Sequence, residues 1–365
     1  MKIGILTFHW AHNYGAVLQA YALYTYLERQ GHDVEIINYI PNWCQEAKSY
    51  TFPRTPGLLI DNIDRYWKSR IFRAFQKKHL RISKHRYHYG ETISGYDVVI
   101  VGSDQVFNPD IIAQDGKLDD TYLLANVAPG TRKIAYAASF GNSSLRPQYA
   151  SQFRKLLSDF DDIGIREESG CGIVETLGLS ATTVPDPTIL LGDFSSLLPS
   201  EHHSIYYVLG YLFQQKQSSL DMLCFIASSI GAQIMTRVNL RQRIRGLRGV
   251  HHLSPPKWIQ SISDSQFVVT DSFHATVFAI LAHRSFILLA IDAWGDDWSE
   301  RGRSLLNRLG ILERFLLNPS CETAKRVLDI SICWDEIESR IEKWRKEGAH
   351  FINQCLDFPF ACNKL

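Results

Sequence analysis

The residues best suited to chemistry lie at the ends of short apolar runs. In Phe267-Val268-Val269-Thr270-Asp271-Ser272-Phe273-His274 a strand stops at Thr270 and a helix begins around His274. Asp271 or Ser272 can cap that helix. Its first turn leaves unpaired N–H groups at the positive end of the dipole, which suits an anion. A histidine there can donate a hydrogen bond to the anion and move protons near neutral pH. No serine or cysteine with an orienting partner accompanies it, so phosphate chemistry fits better than acyl transfer. A second cation, Arg166, ends the apolar run Asp162–Ile165. A guanidinium cannot be buried there without an anionic partner. Glu167 or Glu168 can supply one, or a ligand anion can, because the planar fork matches carboxylate and phosphate alike.

Two further loops have the same placement. After the first strand, His12-Asn13-Tyr14-Gly15 leads into a helix, and Gly15 would let backbone approach a ligand closely. The alternative is a turn whose aromatics simply pack. After Asp97–Val101, Gly102-Ser103-Asp104-Gln105 makes a polar turn in which Asp104 either caps a short helix or reaches a sugar hydroxyl. The dinucleotide fingerprint is missing after the first strand and no P-loop occurs. These absences argue against a nicotinamide enzyme and a P-loop NTPase.

The elements that must position these loops alternate. Strands are expected at Lys2–Thr7, Val34–Asn38, Asp97–Val101, Lys133–Ala138, Asp162–Ile165 and Thr182–Val184, with helices at Ala16–Gln30, Gln152–Leu157 and Glu168–Leu177. The pattern lapses over Gly192–His203. It resumes with strands at Ser204–Leu209, Gln233–Thr236, Phe267–Thr270 and Phe286–Ile291. Helices at Leu220–Ile230, Trp258–Ser263, Ala275–Ala282, Arg303–Leu309 and Trp334–Lys346 accompany them. Two such series imply an α/β protein of two doubly wound domains facing across a cleft. The expected division is 1–195, 200–330, and a C-terminal helix and tail over 331–365 that packs back on the first domain.

The 365 residues carry 39 basic and 38 acidic side chains, a near-neutral balance that argues against a nucleic-acid partner. The seven cysteines are scattered without zinc-ligand spacing, so a reduced, cytoplasmic chain with no metal is expected. The amino terminus reads as a strand, and no apolar run approaches the roughly 20 residues of a membrane span. Arg65–Tyr89 holds nine Lys/Arg and no acid. It is either a solvated helix face followed by an extended segment, with Ile71, Phe72 and Phe75 buried, or a surface for anionic headgroups or a diphosphate-linked acceptor.

Asn13-Tyr14-Gly15-Ala16-Val17-Leu18-Gln19, Gly102-Ser103-Asp104-Gln105-Val106-Phe107-Asn108, Arg166-Glu167 with Asp186-Pro187-Thr188, and Ser254-Pro255 through Thr270-Asp271-Ser272-Phe273-His274-Ala275-Thr276 together resemble the polysaccharide pyruvyl transferase family. Two departures stand out: Phe107 where the family often has Trp, and Ala275 where it often has Gly. The resemblance implies a GT-B-like architecture. It also implies a reaction in which phosphoenolpyruvate, a donor substrate rather than a cofactor, places a pyruvate ketal across two hydroxyls of a lipid-linked or polymeric sugar. It assigns Arg166 and His274 to the donor, with Asn13, Gly15, Asp104, Asp271 and Ser272 lining the site. Apart from the resemblance, Trp294 and Trp298 either stack on sugar rings from a specificity loop or pack as aromatics in the hinge. The competing functions are a nucleotide-sugar glycosyltransferase on the same architecture and a non-catalytic glycan-binding or scaffold protein.

Overall fold

A computed structural model describes residues 1–44, 55–199, 205–239, 242, 249–293, 296–297 and 299–357. The first half builds β1 (Lys2–Leu6), α1 (Tyr14–Arg29), β2 (Asp33–Tyr39), α2 (Pro56–His79), β3 (Ile82–Tyr87), β4 (Val98–Val101), β5 (Arg132–Ala138), α3 (Pro147–Leu157), β6 (Asp162–Ile165), α4 (Glu168–Thr176), β7 (Thr182–Thr183) and α5 (Pro187–Leu191). Its seven-stranded main sheet is all parallel, in the order β3-β2-β1-β4-β5-β6-β7. The second half builds β8 (Tyr207–Tyr211), α6 (Gln217–Ile230), β9 (Gln233–Thr236), α7 (Pro255–Ser263), β10 (Phe267–Thr270), α8 (Phe273–Leu281), β11 (Ser285–Leu289), α9 (Glu300–Leu309), β12 (Phe315–Leu316) and α10 (Cys321–Leu328). These strands are parallel too, in the order β9-β8-β10-β11-β12. Strand order reverses between β1 and β4 in one sheet and between β8 and β10 in the other. Ligands of open α/β sheets bind beyond the strand ends at such points.

The α1 helix joins the halves. It packs against α5 of its own half and against α7 and α8 of the other. Twelve of its sixteen residues are buried, so it is apolar nearly all round instead of striped. Tyr14 stacks on Trp258 with ring centroids 4.9 Å apart and donates its hydroxyl proton to Leu253 O at 2.9 Å. Phe194 meets Phe278 edge-on at 4.9 Å, and residues of both halves share one core.

The final helix, α11 (Trp334–Leu356), returns to the first half. Arg345 Nε donates to Ile189 O at 2.8 Å, and Gly348 lies against Pro185 closely enough that a Cβ would collide with the proline ring. The helix runs ten residues beyond the Lys346 end expected from its amphipathic stripe, because Phe351, Ile352, Cys355 and Leu356 stay buried.

Several expected boundaries shift. The first helix starts at Tyr14, where Asn13 caps it, and α3 starts at Pro147, a residue preorganised for a first turn. The basic segment resolves into the end of α2, with Phe72 and Phe75 buried and Ile71 half-buried, followed by edge strand β3. Of the expected Ser204–Leu209 strand, residue 204 lies outside the described residues.

Candidate functional site

At the carboxyl end of β10, Thr270 Oγ1 donates to Tyr211 O at 2.7 Å and accepts from Ser272 N at 3.0 Å. Ser272 is the cap of α8: its Oγ accepts from Ala275 N at 3.4 Å. Asp271, the other cap candidate, turns away. Its carboxylate accepts from Phe213 N at 2.8 and 2.9 Å and from Gln214 N at 2.8 Å, which ties the loop after β8 to the end of β10. Burial pushes its pKa up against these amides. Asp271 is therefore a loop anchor in this structure rather than a lining residue.

His274, in the first turn of α8, is 7% exposed and points Nε2 at Asp186 Oδ2, 3.5 Å away. Arg166, 1% exposed at the end of β6, donates through Nη1 to the same oxygen at 2.8 Å. The sequence offered Glu167 or Glu168 as the cheap partner of Arg166. The structure bears out Glu167, whose Oε2 lies 3.9 Å from Nε, and adds Asp186 as the hydrogen-bonded partner and Asp104, whose Oδ1 lies 3.5 Å from Nη2. Glu168 faces outward toward Arg308. Strand geometry explains the choice. Adjacent side chains on an extended backbone diverge, whereas Asp186 is brought in from the turn after β7.

Asp186 caps α5. Its Oδ1 accepts from Thr188 N at 3.0 Å and from Thr188 Oγ1 at 2.6 Å. Burial alone would raise its pKa, but His274, Arg166 and the Thr188 hydroxyl override that and hold it well below the usual carboxylate range. For Arg166, burial opposes the charge while Asp186, Asp104 and Glu167 carry the balance upward. Glu167, wholly buried, is raised by desolvation and accepts from Phe140 N at 2.8 Å.

Asp104 adopts φ +76° and does not cap a helix. Its backbone carbonyl accepts from Ser139 N at 2.9 Å, while its carboxylate meets Arg166 and lies 3.8 Å from Arg301 Nη1. Arg301, in the first turn of α9, is 14% exposed on its side chain; burial and the nearby Arg166 charge pull its pKa down to about 10. Arg166 Nε and Nη2, His274 Nε2 and Arg301 Nε are buried and make no hydrogen bond. Three of these atoms face carboxylate oxygens of Asp104, Glu167 and Asp186 at 3.5, 3.9 and 3.5 Å, outside good hydrogen-bond geometry.

Gly15 serves this cluster differently from the role expected of it. A Cβ there would lie 2.6 Å from His274 Cγ, so the missing side chain admits the imidazole, not a ligand. Asn13 accepts through Oδ1 from Gly15 N at 2.9 Å. Asn13 also lines a cavity of about 110 Å³ between the halves, with Tyr14, Lys68, Arg237, His252 and Trp258 among its walls. Arg166 and His274 do not line that cavity. The family departures fall in the core: Phe107 packs on Phe140 at 5.5 Å, and the Ala275 methyl is fully buried away from the cluster. Trp294 and Trp298 lie outside the described residues. Arg301 and Asp186 are the contributors that sequence reasoning missed; an Asp-Pro-Thr cap directly after a strand is the signal for the second. Among the described residues, Asp64, His251 and His252 are the one group able to bring three ligand atoms within 4.8 Å of one another.

Two Rossmann-like domains with a site where their switch points meet define the GT-B class of fold. Structure comparison agrees. The putative UDP-N-acetylglucosamine 2-epimerase of Listeria monocytogenes aligns with a TM-score of 0.55 at 12% identity, covering 98% of this chain and 96% of that one. The UDP-GlcNAc 2-epimerase of Neisseria meningitidis aligns at 0.50 and 9% identity over 98% and 99%. The MnaA–UDP complex of S. aureus gives 0.51 and 10% over 98% and 96%. At these identities the likeness concerns the fold alone. No curated protein sequence matches the chain. The polysaccharide pyruvyl transferase family model matches residues 13–293, and the chain belongs to that family.

Gly15→Ala should lower stability by about 1–3 kcal/mol through overpacking on the imidazole, whereas Gly-to-Ala in a helix ordinarily raises it. A denaturation midpoint that stays put or rises would show that the ring does not rest on α1. His9 and His12, in the loop after β1, are both lowered to about 4 by burial, His12 further by Lys68 and Arg73. The unfolded chain takes up these protons near 6.5 while the folded one refuses them until about 4. Their stabilisation is therefore complete above pH 6.5 and is lost as pH falls toward 4. Melting curves at pH 7.5 and 5 should show a smaller acid loss in His9→Asn than in the parent; an equal loss would contradict this.

Proposed function

We propose that the chain moves the pyruvate unit of phosphoenolpyruvate onto two hydroxyls of a saccharide, forming a ketal and releasing phosphate. The observation that carries this reading is the meeting of Arg166 and His274, one from each half, on Asp186 Oδ2, with Arg301 beside them and buried nitrogens on all three side chains that make no hydrogen bond. A donor with a carboxylate and a phosphate requires such a set.

In the proposed sequence, His274 delivers a proton to the donor's methylene carbon, which becomes the methyl group. Positive character then develops at C2, and a sugar hydroxyl oxygen bonds there as its proton departs. The C2–O bond to phosphate breaks with its electron pair staying on phosphate, and the second hydroxyl closes the ketal. Two hydroxyl protons are lost, one proton enters the methyl group and one leaves with phosphate. Arg166 and Arg301 offset the donor's charge in a buried setting where fixed dipoles and charges act strongly. Asp186 holds both halves of the machinery in register. In this reading Asp104, on the Arg301 side, accepts a proton from the acceptor.

The acceptor's setting follows from α2. Leu59, Ile63, Tyr66 and Trp67 are exposed along one stripe of this helix, and Trp67 keeps 51% of its surface in solvent. The exposed residues Arg70, Arg73, Lys77 and Lys78 continue the same face. An apolar, aromatic patch with a basic extension suits the boundary of an anionic bilayer. No helix among the described residues is long and apolar enough to cross a membrane. The reading therefore places the protein on the cytoplasmic face, against a membrane carrying a lipid-linked saccharide.

His274→Ala should cut phosphate release from phosphoenolpyruvate by about 10²–10⁴-fold, the usual worth of a general acid, with an unchanged circular dichroism spectrum. Near-normal turnover, or a thermal shift with nucleotide sugars and none with phosphoenolpyruvate, would overturn the assignment. Sedimentation with vesicles containing phosphatidylserine should carry the protein down at low salt, and Ile63→Glu with Trp67→Glu should leave it in the supernatant. Equal pelleting of parent and variant would remove α2 from the membrane contact.

A further inference from the structure

The cavity between the halves has an unusual wall. His251 and His252 are neighbours in sequence, and adjacent side chains on an extended chain point in opposite directions. Here His252 adopts φ +44°, a left-handed conformation that non-glycine residues avoid. Both imidazoles consequently lie on one side, with ring centroids 3.9 Å apart. Both turn Nε2 toward the same acceptor across the domain joint: Asp64 Oδ1 on α2 lies 2.9 Å from His252 Nε2 and 3.5 Å from His251 Nε2. His251 Nδ1 lies 3.2 Å from Val238 O. Donation to that carbonyl places the proton on Nδ1 and leaves Nε2 with its lone pair outward, the outer-sphere arrangement that orients metal-bound histidines. Backbone strain of this sort persists where surrounding structure demands it, and such positions cluster at functional sites.

We propose that Asp64, His251 and His252 bind one divalent ion of the zinc type, clamping α2 of the first half to the 249–254 loop of the second. Two imidazoles and a carboxylate are the donor set that suits zinc, and three protein ligands leave a position open. The cavity provides room for that position, since Asp64 and His252 both line it. Lys68 and Arg237 also line it and favour an anionic oxygen there, of the kind a phosphorylated acceptor carries. None of these groups belongs to the Arg166–His274 cluster, so the ion is a second site rather than part of the proposed transfer chemistry. Sequence spacing conceals it, because Asp64 stands far from the histidine pair along the chain.

The test uses the full chain, stripped with chelator and dialysed, then titrated with zinc chloride by calorimetry. One equivalent should bind and raise the melting temperature, and cobalt in its place should give visible bands of low-symmetry nitrogen and oxygen coordination. Asp64→Asn keeps a polar neighbour for His252 but is a poor ligand. His252→Ala removes a ligand outright. Both should weaken zinc by more than the roughly 10–100-fold that loss of an outer-shell partner costs. Failure of the parent to bind zinc stoichiometrically would overturn the site whether or not the variants fold. So would binding that survives both substitutions, which would place the ion on cysteines.

Discussion

A buried carboxylate organises this protein. Asp186 is fully removed from solvent, and a charge in that position stands only when its lone pairs are matched. Thr188 satisfies one oxygen, and Arg166 satisfies the other in company with Ser103 Oγ at 3.1 Å and His274 at 3.5 Å. Each partner comes from a different element: the α5 cap, the end of β6, the turn after β4 and the first turn of α8. Removing one of them exposes the others to the cost of an unpaired interior charge, about 3–5 kcal/mol for a broken buried pair. The same arrangement that holds the domains in register also gathers Arg166, Arg301 and His274 around Asp104 and Asp186.

The joint around this carboxylate is apolar and closely seated. The α1 helix is buried on nearly every face because it lies between its own sheet, α5 and the helices of the second half. Gly15 opens its first turn to His274, and Tyr14 stacks on Trp258 one residue earlier. A loop that looked like a ligand cradle in the sequence thus spends its glycine on an imidazole. A cavity of about 110 Å³ lies beside it, with Asn13 of one half and Arg237 of the other among its walls.

Much of the architecture was legible because β-branched runs followed by amphipathic stretches have few alternatives in a chain of this size. Lys2–Leu6, Asp162–Ile165, Gln233–Thr236 and Phe267–Thr270 are all strands within a residue of their expected limits. The helix α2 was read only in its basic half, since its exposed Leu59, Ile63 and Trp67 lie on a different face from the buried Phe72 and Phe75, so its apolar residues do not fall on a single stripe. At the site, the types and strand-end positions of Arg166 and His274 were enough to single them out. Their shared partner was not, because Asp186 reaches Arg166 through tertiary packing and not through proximity along the chain. Arg301 escaped for a related reason: an arginine in the first turn of a polar helix looks solvated until the fold buries it. Asp271 shows the opposite error, in that a residue with the right chemistry at a strand end turned to the backbone amides of a neighbouring loop.

The most direct measurement is a crystal structure of the protein with phosphoenolpyruvate bound. The account predicts the donor's carboxylate or phosphate oxygens within hydrogen-bond distance of His274 Nε2 and of the guanidinium donors of Arg166 or Arg301, with Asp186 still bridging the two halves. Donor density confined to the Asn13–Arg237 cavity, or a donor that contacts neither His274 nor either arginine, would contradict it.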